Sequence, residues 1–232
     1  MQMVIFCGGL ATRLGALAKE TPKSMIPIEG KPFLEHQIEI LKKQDITDII
    51  LCVGHLSEKI KEYFDDGQKF GVHIKYSQDG DKPLGPIGAL KKAENLLDDI
   101  FFIMYGDSYL SVDFQNIYSS FLKTEKLAMM AVYKNKDKYD TSNLIVHKNQ
   151  VVAYGKEHKT DEMVYIDYGT SILRKKTLAS IPINTFYSTG NFFSDLVKKQ
   201  ELLAYEVKHR FYHIGTPRAI DEFTRYIQTI SR

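Results

Sequence analysis

An apolar run of strand length, Met3-Val4-Ile5-Phe6-Cys7, breaks into Gly8-Gly9-Leu10-Ala11-Thr12-Arg13-Leu14, with Pro22-Lys23 and Pro27 downstream. Each residue type has a use at a nucleoside triphosphate. Gly8 and Gly9 carry no Cβ, so their backbone N–H groups can approach phosphate oxygens. Thr12 can donate a hydrogen bond, and Arg13 offers a planar fork that matches phosphate. Lys23 adds a compact charge on a flexible stem. A second cluster of this kind is Gly106-Asp107, placed after the apolar run Ile100–Tyr105. A carboxylate at the end of a buried strand can hold Mg²⁺, which bridges phosphate oxygens and offsets charge in an in-line displacement. The plainer readings are a glycine turn with solvated cations and a loop aspartate. The lysine is neither adjacent to the glycines nor followed by Ser/Thr in the P-loop manner, so the P-loop reading falls.

The elements that would position these residues follow from periodicity. Buried strands are expected at Gln2–Cys7, Asp48–Val53 and Ile100–Tyr105, a short alternating strand at Val72–Ser77, and another strand at Leu127–Tyr133. Helices are expected at Pro32–Gln44, Leu56–Phe64, Gly88–Leu97 and Asp113–Lys123, the last capped by Asp113. Strands alternating with helices imply a mostly parallel sheet with right-handed crossovers and helices on both faces. Ligands of such sheets sit beyond the carboxyl ends of the strands. The glycine loop and Gly106-Asp107 therefore open onto one edge. After residue 133 the rhythm changes to short strands at Asn143–His147, Val151–Tyr154 and Val164–Leu173. These are read as antiparallel additions, followed by helices at Lys175–Ile181 and Asn191–Lys199 and a strand at Leu202–Lys208. A closing helix begins at Pro217, with Thr216 as its cap.

Composition narrows the class. The chain has 232 residues, enough for one α/β domain with a sizeable core. Lys+Arg 31 against Asp+Glu 29 gives a net charge of +2, without the basic surplus of a nucleic-acid-binding protein. No apolar run approaches the eighteen residues of a transmembrane helix. The N-terminus enters a strand at once, so no signal peptide is expected. Cys7 and Cys52 lie in apolar runs and read as buried free thiols, which fits a cytoplasmic location. His36, His55, His73, His147, His158 and His209 show no ligand spacing. The 14 Tyr and 13 Phe leave a homo-oligomer contact open. No nucleophile-plus-base arrangement is apparent, which fits direct transfer.

These motifs together resemble the signature of the sugar-1-phosphate nucleotidyltransferases: Gly-Gly-x-Gly-Thr-Arg-Leu, then Pro-Lys, then Pro. Ala11 stands where that family has its third glycine. The resemblance implies a single-domain, Rossmann-like α/β fold over 1–232, with a nucleotide-binding half (1–133) and a sugar-phosphate acceptor half (134–232) carrying a small antiparallel extension. It implies an enzyme that joins a nucleoside triphosphate and a sugar 1-phosphate into an NDP-sugar and pyrophosphate, for surface polysaccharide or glycoconjugate synthesis. Its implied partners are those two small molecules, with no nucleic acid and no membrane, and its implied cofactor is Mg²⁺. Gly8, Gly9, Ala11 and Thr12 would cradle the triphosphate, Arg13 and Lys23 would be catalytic, and Asp107 would hold the metal. Tyr76-Ser77-Gln78-Asp79-Gly80 and Pro83-Leu84-Gly85-Pro86-Ile87-Gly88 look like the base-reading segment, through Gln78 or Asp79 and N–H groups near Gly85 and Gly88. Pro86 departs from the family there and removes a donor.

On the acceptor side, Lys156 resembles the second lysine of the family, although Gly155-Lys156-Glu157 replaces its Glu-Lys-Pro. Tyr165-Ile166-Asp167-Tyr168-Gly169-Thr170 resembles the acceptor-pocket strand, with Asp167, Gly169 or Thr170 on the sugar and Asn143 nearby. In Tyr212-His213-Ile214-Gly215-Thr216-Pro217, His213 takes the place of an aspartate that supplies a second metal ligand, which leaves a metal role or a structural one. This late motif and the compact length look most like the manno-heptose-1-phosphate and mannose-1-phosphate guanylyltransferase branch. A cytidylyltransferase acting on a non-sugar phosphate and a non-catalytic nucleotide-binding domain are the alternatives.

Overall fold

The computed structural model describes residues 1–9, 20–80, 82–155 and 159–230. Its first half runs β1 (Gln2–Phe6), β2 (Pro27–Ile28), β3 (Lys31–Pro32), α1 (Phe33–Lys42), β4 (Asp48–Val53), α2 (Ser57–Phe64), β5 (His73–Gln78), α3 (Gly85–Lys92), β6 (Ile100–Tyr105), β7 (Ser108–Tyr109), α4 (Phe114–Leu122) and β8 (Ala128–Lys134). The second half adds β9 (Leu144–His147), β10 (Gln150–Tyr154), β11 (Tyr165–Arg174), α5 (Thr189–Lys198), β12 (Leu202–Val207), β13 (Tyr212–His213) and α6 (Pro217–Ile230).

One nine-stranded sheet has the order β5-β4-β1-β6-β11-β8-β12-β10-β9. β1 lies between β4 and β6, parallel to both, and β5 extends β4 in parallel. The apolar strands explain this. Met3 and Ile5 face one core with Leu34, Ile38, Leu41 and Ile60, while Val4 faces the other with Ile87, Leu90, Phe192 and Phe193. A strand buried on both faces needs no polar alternation and belongs inside a helix-covered sheet. The α/β expectation with helices on both faces therefore holds. A third cluster, with Phe33, Ile214, Phe223 and Ile227, seats α6. Both expected caps form: Asp113 Oδ1 accepts from the Asn116 N–H, and Thr216 Oγ1 from the Ala219 N–H. No helix of the described residues is long and apolar enough to cross a membrane.

Three local expectations differ from the structure. The helix expected from Gly88 starts at Gly85 and ends at Lys92, with a 3₁₀ turn at Glu94–Leu96. Pro86 sits in its first turn, where a missing N–H costs nothing, so it marks the helix start. The segment after Arg174 is only a 3₁₀ turn, Lys175–Leu178. The antiparallel strands do not all lie at the margin: β11 is antiparallel to both β6 and β8 and sits between them in mid-sheet. Most of its ten residues are buried, which favours an interior place over an edge.

Candidate functional site

The carboxyl ends of β1, β4, β5 and β6 converge as the sheet rule requires. Gly8 and Gly54 pass backbone to backbone there. A Cβ on Gly54 would stand 3.1 Å from the Gly8 carbonyl oxygen, and one on Gly8 would stand 3.4 Å from the Gly54 nitrogen. Gly9 has open space around its Cβ direction and is exposed, so its backbone is approachable. Leu10, Ala11, Thr12, Arg13 and, on the acceptor side, Lys156 lie outside the described residues.

Beside β1, the Gly106 N–H donates to the Phe6 carbonyl at 3.1 Å. A Cβ at Gly106 would come within 2.5 Å of that oxygen, so only glycine lets the turn after β6 lie against β1. This places Asp107 at the sheet edge, where its Oδ2 meets Lys23 Nζ at 2.5 Å. Lys23 reaches it from the 3₁₀ turn Lys23–Met25, which follows Pro22 in extended geometry. Ser108 Oγ donates to Asp107 Oδ1 at 3.2 Å, and the Ile214 N–H to the Asp107 carbonyl at 3.0 Å. The second bond belongs to the short antiparallel pair of β7 and β13, in which His213 stands opposite Ser108. His213 Nδ1 accepts from the Gly215 N–H at 3.0 Å, leaving Nε2 as its nitrogen for other partners. Burial lowers the His213 pKa below its ordinary value, against the opposing pull of Asp107.

The base-side expectations divide. Gln78 lies at the end of β5 and accepts from Lys61 Nζ at 2.8 Å. Asp79 is buried next to Gly8 and accepts from the Leu84 N–H at 3.2 Å; burial raises its pKa. Gly85 and Gly88 have a packing cause. Gly85 has φ +70, and a Cβ there would meet the Tyr187 carbonyl oxygen at 2.8 Å. A Cβ at Gly88 would meet the Thr185 carbonyl oxygen at 2.4 Å. The N–H groups of Ile87 and Gly88 point at the Tyr187 carbonyl, at 3.1 and 3.4 Å. The expectation of a base contact through the Gly88 N–H is therefore corrected: that donor seats the segment before α5.

The acceptor-side residues also divide. Among the described residues Asp167 accepts from Tyr105 Oη at 3.0 Å and Tyr154 Oη at 3.4 Å through Oδ2, and from the Gly169 N–H at 2.9 Å through Oδ1. Gly169 has φ +105 at the irregularity of β11, and its Cβ position lies 3.1 Å from Ser108 Cβ, which ties this strand to the Asp107 turn. Asn143 is buried and gives its Oδ1 to the Asp167 N–H at 3.0 Å. Thr170 is corrected. Its hydroxyl is buried and donates to the Ile103 carbonyl at 2.7 Å, so it closes the sheet and does not face a sugar. Sequence reasoning missed Tyr105 and Tyr154. Their signal was available: each is a tyrosine at the last position of an apolar strand, where an Oη usually finds a partner.

No group of three His, Cys, Asp or Glu that could hold a metal ion occurs among the described residues. A hard divalent ion shared with substrate phosphates needs only one or two protein carboxylates. Asp107 fits that requirement, with His213 beside it.

Known proteins similar to this chain identify its family. The Nucleotidyl transferase family model matches residues 2–142. D-glycero-alpha-D-manno-heptose 1-phosphate guanylyltransferase of Campylobacter jejuni is 34% identical over 218 residues, covering 94% of this chain and 96% of that protein. The protein of the same name from Aneurinibacillus thermoaerophilus is 30% identical, covering 87% and 86%. Among solved structures, HddC from Yersinia pseudotuberculosis complexed with GMP-PN superposes with a TM-score of 0.80 at 26% identity, covering 97% and 99%. The inositol-1-phosphate CTP transferase from T. maritima shares the fold at a TM-score of 0.83 and 19% identity, covering 100% and 96%. With a family model over more than half its length and a relative matched almost end to end, the chain belongs to the sugar-1-phosphate nucleotidyltransferases.

Proposed function

We propose that the protein transfers a guanylyl group from GTP to a manno-configured sugar 1-phosphate of the heptose type. The observation that carries this reading is the Lys23–Asp107 pair at the carboxyl edge beside Gly8 and Gly9, in a chain similar to a heptose guanylyltransferase over 94% of its length. The acceptor phosphate oxygen attacks the α-phosphorus, the bond from that phosphorus to the bridging oxygen breaks, and pyrophosphate leaves. The attacking oxygen is already ionised, so no general base is required. The protein's task is positioning and electrostatics.

Gly8, Gly9, Ala11 and Thr12 cradle the triphosphate, and Arg13 meets the departing pyrophosphate. Lys23 offsets charge at the α-phosphate. Gln78 and Asp79 stand on the base side and Lys156 at the acceptor phosphate. Asp167, held by Tyr105 and Tyr154, accepts from a sugar hydroxyl, with Asn143 and Gly169 fixing its strand. Nucleotidyltransferases of this family use a divalent metal; Asp107, with His213 beside it on the paired strand, would hold it here as Mg²⁺. When bound, it supplies charge neutralisation across the phosphates. The 1–133 half carries the nucleotide and the 134–232 half the acceptor.

The test is a panel of GTP, CTP, UTP and dTTP crossed with manno- and gluco-configured sugar 1-phosphates and with inositol 1-phosphate, read by pyrophosphate release. GTP with a manno-heptose 1-phosphate should give the highest kcat/KM. Preference for CTP with inositol 1-phosphate would overturn the guanylyl assignment. Tight nucleotide binding without pyrophosphate release from any pair would replace it with a non-catalytic one.

A further inference from the structure

We propose that Gln37 is a positioning residue that holds the Gly106-Asp107 turn in register with Lys23. Gln37 lies in α1 and is fully buried. Its Nε2 donates to the Tyr105 carbonyl at 2.9 Å and to the Ser108 carbonyl at 2.7 Å. Those two carbonyls flank Gly106-Asp107 on either side. The amide orientation is dictated by them: a flipped side chain would set an oxygen against two carbonyl oxygens. Its own Oε1 is sealed from solvent without a hydrogen-bond partner among the described residues. A buried acceptor left unpaired costs stability, so an apolar residue would suit this side of α1 better if packing were the only demand.

Gln44 shows the contrast. It also crosses to this region, donating to the Val112 carbonyl and accepting from the Phe114 N–H, and so both ends of its amide are used. Gln37 uses only its donor end, and spends both N–H groups on the turn that carries the carboxylate.

The same element fixes the other member of the pair. α1 follows the Lys23–Met25 turn through the β2–β3 hairpin, and the Phe33 N–H donates back to the Ile26 carbonyl at 2.9 Å. One helix therefore registers both sides of the Lys23–Asp107 contact. Without Gln37 the turn keeps the Phe6 and Ile214 bonds to its backbone, so the fold survives while the carboxylate loses its fixed place.

This inference rests on the proposed nucleotidyl transfer. Its experiment uses the full chain with Gln37→Leu, and Gln37→Met as a second variant should the first fail to fold. Leu41→Ala, fully buried in the same helix, serves as a control that perturbs the core alone. Four quantities are read: kcat, KM, Mn²⁺ affinity by electron paramagnetic resonance with a non-hydrolysable GTP analogue bound, and amide exchange at residues 106–108 in metal-free protein. In the Gln37 variant, kcat and Mn²⁺ affinity should each fall by about tenfold or more, as for supports of a metal ligand. KM for the nucleotide should stay within about twofold, and exchange at 106–108 should quicken. Leu41→Ala should lower the melting temperature and leave kcat and Mn²⁺ affinity within about twofold of wild type. Equal losses in the two variants, or unchanged exchange at 106–108, would overturn the positioning role. Exchange needs no turnover, so a wild-type protein inactive on every substrate pair would sink the proposed function and still leave the clamp tested.

Discussion

Replacing Lys23 by alanine separates catalysis from folding. The Lys23 and Asp107 side chains are 21% and 34% exposed, so their 2.5 Å pair is partly solvated. A solvated pair of this kind contributes about 0–1 kcal/mol to stability. Alanine in the short Lys23–Met25 turn opens no cavity in the core, since the lysine stem lies at the surface edge. Turnover is a different matter. Removing one preorganised donor aimed at developing charge costs about 2.7–4 kcal/mol, or 10²–10³ in kcat. Pyrophosphate release should therefore fall by about two to three orders of magnitude, while the urea midpoint moves by the equivalent of less than about 1 kcal/mol. Lys23→Arg should keep the stability and not restore full turnover, because a wide planar fork does not replace a compact ammonium. Turnover within about threefold of wild type in Lys23→Ala, or a loss that tracks global unfolding, would refute the reasoning.

The other predictions concern the flanks of the site. Gly88→Ala puts a methyl 2.4 Å from the Thr185 carbonyl oxygen, so thermal unfolding should show a loss of about 1–3 kcal/mol. Asp79 titrates above its ordinary value because burial disfavours the charge. Its contribution to stability is full below the unfolded carboxyl pKa and is lost as pH rises through the raised folded one. Asp79→Asn should thus gain stability relative to wild type as pH rises above the ordinary carboxyl range in urea titrations, and a flat difference would contradict the burial argument. His213→Asp replaces a soft nitrogen with a hard oxygen beside Asp107, so the Mg²⁺ concentration for half-maximal turnover should fall; no change would place His213 out of reach of the ion.

Much of the edge was legible because it depends on local signals. An apolar strand ending in glycine predicts both a buried position and an open backbone, and Gly8 and Gly106 carry that signal. Two such strands side by side put Lys23 and Asp107 together, and the late Tyr212–Pro217 motif put His213 next to them. What failed depends on long-range packing. The place of β11 between β6 and β8 is a choice among strand orders, and a run with most residues buried states only that it is interior. Gly88 and Thr170 have the residue types expected of ligand contacts, yet the segment at 185–187 and the β6 carbonyl claim them. Gln37 lay hidden for the opposite reason. A polar residue among Phe33, Leu34, Ile38 and Leu41 breaks the apolar stripe of α1, and that break marked a buried task that periodicity alone does not name.

The pairing of Lys23 with Asp107 bears on how the site accepts its ligands. In the free protein each charge neutralises the other, so neither is left uncompensated at a half-buried edge. In the proposed reaction a triphosphate would claim Lys23 and so strip Asp107 of its cation. A divalent cation would claim Asp107 and so release the lysine. Each ligand alone breaks an ion pair and leaves one charge unpartnered; the two together exchange one pair for two. The favourable route is therefore joint arrival, with the metal and the triphosphate each raising the affinity for the other. That coupling depends on the carboxylate staying where Lys23 can reach it. The Gln37 amide, the absence of a side chain at Gly106 and the Ile214 N–H all act on that turn, from three different elements. The chain thus ties down the backbone under the charges that would change partners, so that the exchange would move side chains and leave the edge in place.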